Sequence, residues 1–365
     1  MIRHLPVTAG VLILGLGALH AQGQAPRVPT VTVLRAPAVE LPGEADSNSP
    51  VVWERVDGVP TLHVFTSVAG QPWRASGPRL QTLSDAVPVE FSLRPDHGVW
   101  MEAIIPDVDG TWYGYYHNEI PAEAACGDPG RVVPRIGAAR SVDFGATWED
   151  LGVILEAPAW TNTCDSQNQY FLGGVGDFSA VLDANARDVH FFYSQYVGRE
   201  WGQGVAVARM AWADRDEPAG KMSLWTRGVW MPARAVRGEH NDDATWLYPV
   251  ASPVYPVAQS WHLDGPSVDA FWGPSVHWNT HLQQYVMLLN RAKDMQWTQE
   301  GIYVAFSPTL DDPTQWTTPR KILDGGGWYP QVIGIEPGIG TDRLAGAVAR
   351  LFIHGRSEHV IQFTR

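Results

Sequence analysis

This sequence has little basic charge, little thiol and almost no helical patterning. Against 39 acidic residues stand 26 lysines and arginines, giving a net charge of −13. Such a surface repels a phosphate backbone, and no basic stripe or base-reading motif offsets it, which excludes nucleic acid as a partner. There are only two cysteines, and no CxxC pair or CxxH spacing, so a zinc centre is excluded. Helical periodicity never persists beyond about two turns. Glycine-rich nucleotide loops, a GxSxG elbow and an EF-hand are all missing. Beyond the N-terminal residues no apolar run is long enough for a membrane helix. No Pro/Ser-rich linker divides the 365 residues, which points to one domain.

What is present is tryptophan, glycine and proline (17, 36 and 28 residues), scattered as many short strands and turns require. The first residues differ. Arg3 and His4 precede an apolar run from Val11 to Leu19, then Ala21-Gln22-Gly23-Gln24-Ala25. That is the pattern of a secretory signal peptide, cut after Ala21 or, as second choice, Ala25. The expected organisation is a leader over 1–21 and a single domain over 22–365, secreted or periplasmic. Export permits a disulfide, and the sequence predicts one between Cys126 and Cys164. Closing a loop of that length is worth ~4 kcal/mol on the chain-entropy account.

One strand pair recurs. Gly273 to Ala292 opens with Gly-Pro-Ser, continues as Val276-His277-Trp278, breaks at Asn279-Thr280-His281 and closes with Tyr285-Val286-Met287-Leu288-Leu289. It reads as a turn, a half-buried strand and a fully buried strand. Four other stretches fit: Asn48–Phe65, Trp100–Tyr116, Gly176–Tyr193 and Tyr329–Phe352. Further strands ending near tryptophan occur at Ile136–Trp148, Val205–Trp212 and Ile302–Trp316. Five four-stranded antiparallel units predict an all-β, five-bladed β-propeller. Residues Gly23 to Glu40 would then be a lead-in or an outer strand closing the ring. Gly228 to Leu263, holding His240-Asn241-Asp242-Asp243, is expected to form a long loop over one face.

In a propeller, equivalent positions on different blades meet at the axis. Asp46 precedes the first inner strand, Glu102 stands in the second unit, and Asp177 follows Gly173-Gly174-Val175-Gly176 in the third. A solvated turn does not require a carboxylate in three consecutive units, and buried carboxylates are costly unless paired or used. His117 and Glu119 end an aromatic strand close by. Asn48, Trp272, His277 and Tyr329 occupy related positions and are expected to bind substrate, with Trp53 and Trp100 as further sugar-stacking candidates. Arg140, Arg209, Arg291 and Arg350 recur on strands; Arg140 and Arg291 are the two expected at the site, where they would hold a substrate carboxylate or orient the acids. Asp264, Asp269 and Glu300 are reserve acids. No cofactor signature exists; a structural calcium is the only ion these acids suggest.

Ser141-Val142-Asp143-Phe144-Gly145-Ala146-Thr147-Trp148 matches the Asp-box SxDxGxTW, a propeller hairpin motif shared with sialidases, and gives Asp143 a structural role. The five-unit ring, with Asp46 and Asp177 at its mouth, resembles the five-bladed propeller glycoside hydrolases of the arabinanase/xylosidase and invertase-like families. That resemblance implies carbohydrate as substrate, Asp46 as general base and Asp177 as the residue that tunes the acid. The family's acid, a Glu of blade four, has no counterpart in Gly273-Pro274-Ser275. The acid role would fall to Glu102, Glu119 or Glu300. A sialidase-like hydrolase and a non-catalytic carbohydrate-binding propeller are the alternatives.

Overall fold

The computed structural model describes residues 28–56, 58–198, 200–237, 244–262, 268–294 and 296–365. The expected leader, the His240–Asp243 segment and Asp264 lie outside the described residues.

Five sheets form the ring, antiparallel apart from the parallel pairing of Glu90–Leu93 in blade two and of Leu344–Ala345 in blade four, and each is led by an inner strand. The inner strands are Val51–Val56, Gly98–Pro106, Val175–Leu182, Ala270–Asn279 and Pro330–Gly334. Each pairs with the strand next in its blade: Val59–Val68, Trp112–Pro121, Asp188–Gln195, Gln284–Ala292 and Val348–Ile353. These are the five pairs expected from the repeat. The ring closes with the N-terminal strand Thr30–Glu40, which pairs antiparallel with Arg356–Thr364 as the outer strand of blade five. Joining the two ends of the described chain in one sheet holds the ring shut without a covalent link. Among the described residues no helix is long and apolar enough to cross a membrane.

Why strands read as continuous apolar runs follows from the packing. Blades lie face against face, so both sides of a strand are buried. In Gln284–Ala292, Met287 and Leu289 enter the core shared with blade three, while Val286 and Leu288 enter the core shared with blade five. The strand's period of two thus serves two cores. The other interfaces have their own clusters, with Val52, Phe65, Met101 and Trp148 between blades one and two, and Val51, Leu62, Ile333 and Phe352 between blades five and one.

Short polar side chains stitch the inner strands. Asn48 Nδ2 donates to Phe178 O (2.8 Å) and Pro274 O (3.0 Å), tying blade one to blades three and four. Gln331 accepts from Ser49 N–H (2.6 Å) and donates to Ser49 O (2.8 Å). Asn48 is therefore a buried structural tie, not the expected substrate contact.

Two segments differ from expectation. Gly273-Pro274-Ser275 does not precede the blade-four strand but forms a bulge inside it, between Trp272 and Ser275. Gly273 there has φ +56, a conformation glycine adopts without strain. Gly228 to Leu263 is not one loop: Val229–Pro232 edges blade three, Arg234–Arg237 pairs with Ala244–Leu247, and Tyr255–Pro256 pairs with Gly204 and Val205. Each of these strands is four residues or shorter, too short to show a period.

The Cys126–Cys164 disulfide is present. In the Ser141–Trp148 turn, Asp143 accepts from Thr147 N–H (2.9 Å) and Thr147 Oγ1 (2.7 Å), and Trp148 is buried below it. These bonds hold the carboxylate ionised, its proton affinity lying below the usual value even though burial opposes this.

Candidate active site

One end of the axis opens into a pocket of about 170 Å³ lined by Asp46, Trp100, Glu119, Tyr170, Phe171, Asp177, Trp272, Trp297, Trp328 and Tyr329. Each blade contributes, and the acids come from three of them.

Asp46 sits in the loop before the blade-one strand, its N–H donating to Ser67 O (2.8 Å). Glu102 and Asp177 lie inside inner strands rather than in loops before them. Both stand at bulges, where the ladder skips one residue between Met101 and Ala103 and between Gly176 and Phe178. A bulge re-aims the extra side chain out of the alternating pattern. Asp177 takes φ +44, and two other pocket residues, Trp297 (+58) and Tyr329 (+54), are also non-glycine residues with positive φ. Such backbone costs ~1–3 kcal/mol per residue and tends to gather where function requires it. Gly176 is obligatory beside Asp177, because a Cβ there would lie 2.6 Å from His117 Cε1.

His117 and Glu119 are two residues apart on the second strand of blade two and so share a face. Beneath the pocket the His117 ring is almost wholly buried. Its Nδ1 lies 3.2 Å from Glu102 Oε1 and 3.9 Å from Asp177 Oδ1, and its Nε2 lies 3.7 Å from Glu119 Oε1. Asp177 N–H also points at Nδ1 (3.2 Å), so that nitrogen can serve only one of the two partners. Burial disfavours a charged His117, but Glu102, Asp177 and Glu119 outweigh it and push the imidazole up to about 9. The cation places the Nδ1 proton on the Glu102 bond. Glu102 is raised to about 7 by burial, with His117 pulling it back. Its Oε2 accepts from Phe178 N–H (2.8 Å), so both oxygens are engaged and neither reaches the pocket.

Asp46 and Glu119 hold their protons more tightly than usual. Burial, followed by the neighbouring Asp177 charge, lifts Asp46 to about 6. Burial raises Glu119, His117 lowers it, and Asp177 and Asp46 raise it further. Asp177 is fixed by the Tyr196 hydroxyl, which donates to Oδ2.

Glu102, His117 and Asp177 could together hold a cation, their ligand atoms lying within 4.8 Å of one another. Each carboxylate already has a protein donor, while His117 Nε2 is buried without a hydrogen-bond partner, and no chemistry is routed through an ion.

The site thus unites Asp46, Glu119, Asp177, Trp100, Trp272 and Tyr329, with Glu102 and His117 beneath. Other candidates lie elsewhere. Arg140 pairs with Glu149 (2.7 Å) and Asp216 (3.1 Å) at a blade edge. Arg291 binds Asp269 through two bonds (2.8 and 3.0 Å). Arg209 stacks on Trp230, and Arg350 donates to Pro37 O. His277 is wholly buried against Phe363, where burial pushes it down to about 3. Glu300 bonds Lys321 and Tyr303 outside the pocket. Trp53 donates to Gly340 O (2.7 Å), away from the mouth. Residues not anticipated are Tyr196, Tyr170, Phe171 and Trp297. The signal for Tyr170-Phe171 was two aromatics one residue ahead of a Gly-Gly pair. For Tyr196 it was an aromatic strand continuing past Tyr193.

The fold and pocket define a five-bladed β-propeller with an acid-bearing aromatic pocket on its axis. No protein-family model matches the sequence, and a search of curated proteins returns no match. Solved structures of similar shape include an endo-arabinase from Bacteroides thetaiotaomicron, with 10% identity over 90% of this chain and 97% of that one and a TM-score of 0.49. An exo-beta-1,3-galactanase from Phanerochaete chrysosporium has 10% identity over 91% of this chain and 64% of that one, TM-score 0.49. The catalytic domain of a Coprinopsis cinerea alpha-L-arabinofuranosidase has 10% identity over 89% and 95%, TM-score 0.46.

Proposed function

We propose that the protein is a glycoside hydrolase, acting on carbohydrate through the carboxylates of the axial pocket. The observation that carries this is the meeting of Asp46, Glu119 and Asp177, from three blades, inside an aromatic wall. Glycoside cleavage needs one carboxyl that keeps its proton for the leaving oxygen and one carboxylate that draws a proton from water or attacks the sugar. Neighbouring charges divide these roles. Asp46, pushed up to about 6, retains a proton in mildly acidic solution. Glu119 is raised as well, by burial first, but unlike Asp46 it has the His117 cation 3.7 Å away, which opposes that rise. The cation beside Glu119 and the Asp177 anion beside Asp46 make Asp46 the proton donor and Glu119 the base in this reading, with Asp177 held by Tyr196. This order reverses the role that the arabinanase resemblance implies for Asp46.

Two observations weigh against the alternatives. No arginine lines the pocket, so the carboxylate clamp of a sialidase is missing among the described residues. A binding module has no need for acids whose burial raises their proton affinity, nor for strained backbone beneath them. The disulfide fits an exported protein.

The test is hydrolysis of aryl glycosides and polysaccharides by the purified full chain, beside Asp46→Asn, Glu119→Gln and Asp177→Asn. Loss of turnover by roughly 10²–10⁴-fold in the first two variants supports the reading. Azide restoring Glu119→Gln, and an activated leaving group restoring Asp46→Asn, would support the order of roles; the opposite pairing would reverse that order while leaving the activity. Bound glycan without turnover in the wild type would leave a lectin.

A further inference from the structure

Residues from all five blades line the pocket, with Asp46 on the blade-one side. Trp100 and Glu119 form the blade-two side, Asp177 the floor of blade three, Trp272 and Trp297 the blade-four side, and Trp328 and Tyr329 the blade-five side. Above them lies Tyr170, on the chain between blades two and three. Its ring lies 5.9 Å from Trp328 and 6.2 Å from Trp297, reaching past blade four to the loop that leads into blade five. At 38% exposure Tyr170 is a rim residue, while Phe171 below it stacks on Tyr196 at 4.4 Å.

The bridge is built to stay in place. Asn168 Oδ1 accepts from both Tyr170 N–H (2.8 Å) and Phe171 N–H (2.9 Å). Tyr170 O accepts from Val132 N–H (2.9 Å). Ser166 Oγ bonds His262 Nδ1 (2.6 Å), and the Cys126–Cys164 bridge anchors the start of the segment. Trp328 is fixed in turn, donating to Trp297 O (3.1 Å).

Size and charge then select the ligand. A volume of about 170 Å³ equals roughly six waters at ~30 Å³ each, the space of one sugar ring. A glycan threading through on that side would have to pass the contact between Tyr170 and Trp328. Three acids line the space and, among the described residues, no lysine or arginine does, so an anionic ring is repelled, whereas the aromatic faces suit the apolar face of a neutral ring.

We propose that the pocket takes a single neutral sugar ring from a chain end, so that the protein is exo-acting, and that Tyr170 is the specificity-determining residue that closes the mouth. This rests on the glycosidase reading above. Binding and cleavage are therefore measured separately. Tryptophan fluorescence of the full chain is titrated with L-arabinose, D-xylose, D-galactose and D-glucuronate. Cleavage is followed on the same polysaccharides with free and with chemically blocked chain ends, in the wild type, Tyr170→Ala and Tyr170→Phe. Expected are a response to at least one neutral monosaccharide, none to glucuronate, release of monosaccharide only, and no release from blocked chains. Tyr170→Ala should raise cleavage of blocked relative to free chains by about tenfold, the factor of ~1.4 kcal/mol, and Tyr170→Phe should behave as wild type. Equal cleavage of blocked and free chains by the wild type would overturn the inference while leaving the glycosidase. Tighter binding of glucuronate than of the neutral sugars would also overturn it. Monosaccharide binding with no cleavage of any substrate would support the pocket's selectivity and remove the glycosidase reading.

Discussion

Replacing Asp46 by Asn should make the protein more stable at neutral pH as it removes turnover. In the fold Asp46 gives up its proton only at about 6, against 3.8 for an unperturbed side chain. The charged form is thus disfavoured by roughly 3 kcal/mol at 1.36 kcal/mol per pH unit. The carboxyl opens onto pocket water, and screening reduces this to about 2 kcal/mol. The folded state binds the proton more tightly than the unfolded chain, so stability increases as pH falls from 6 toward 3.8. The cost is present in full above pH 6, is about a third as large at pH 4.5, and vanishes below the unfolded value. Asn keeps the shape and carries no charge at any pH. Urea unfolding of both proteins at pH 7.5 and 4.5 should show Asp46→Asn more stable by about 2 kcal/mol at the higher pH and by well under 1 at the lower, with equal slopes. An Asn variant less stable than wild type at pH 7.5, or a difference independent of pH, would refute the argument that burial and Asp177 load the Asp46 charge.

Other outcomes follow from the same geometry. Converting Cys126 and Cys164 together to serine should cost ~4 kcal/mol of stability in denaturant. The bridge anchors the segment carrying Tyr170 and Phe171, so KM in that variant should rise more than kcat falls. Arg140→Ala and Glu300→Gln should each leave turnover unchanged in the aryl glycoside assay, because both residues are spent in surface pairs worth about 1 kcal/mol or less. Measurable loss of kcat in either would place it at the site after all.

The architecture was legible because each blade writes its own local pattern. Tyr285 to Leu289 is apolar throughout since its two faces serve two cores, and the same holds in weaker form at the other inner pairs. The site was only partly legible. Asp46, Asp177, Glu119, Trp272 and Tyr329 could be singled out by their position relative to inner strands. Arg140, Arg291 and His277 could not be sorted from them: a strand alternates, and residue type alone does not tell which face meets the pocket and which meets a neighbouring blade. Bulges were invisible for a similar reason. One added residue at Glu102 or Asp177 changes which way a side chain aims without changing the apolar pattern around it. Glu102 consequently lies beneath the pocket as a partner of His117, although its spacing matched that of the pocket acids.

By itself, then, the sequence determined the all-β character, the five strand pairs and the pairing of its two cysteines, and left the N-terminal strand as either a lead-in or the closing strand that the structure shows. All of these depend on neighbours along the chain or on a choice among very few partners. Ring closure decided the rest. Asp46, Glu119 and Asp177 reach one pocket because the inner strands converge on a common axis, and Tyr170 meets Trp328 because the chain before blade three crosses to the loop that opens blade five. Those distances depend on the twist and bulge of every blade between them, and no local pattern carries that sum.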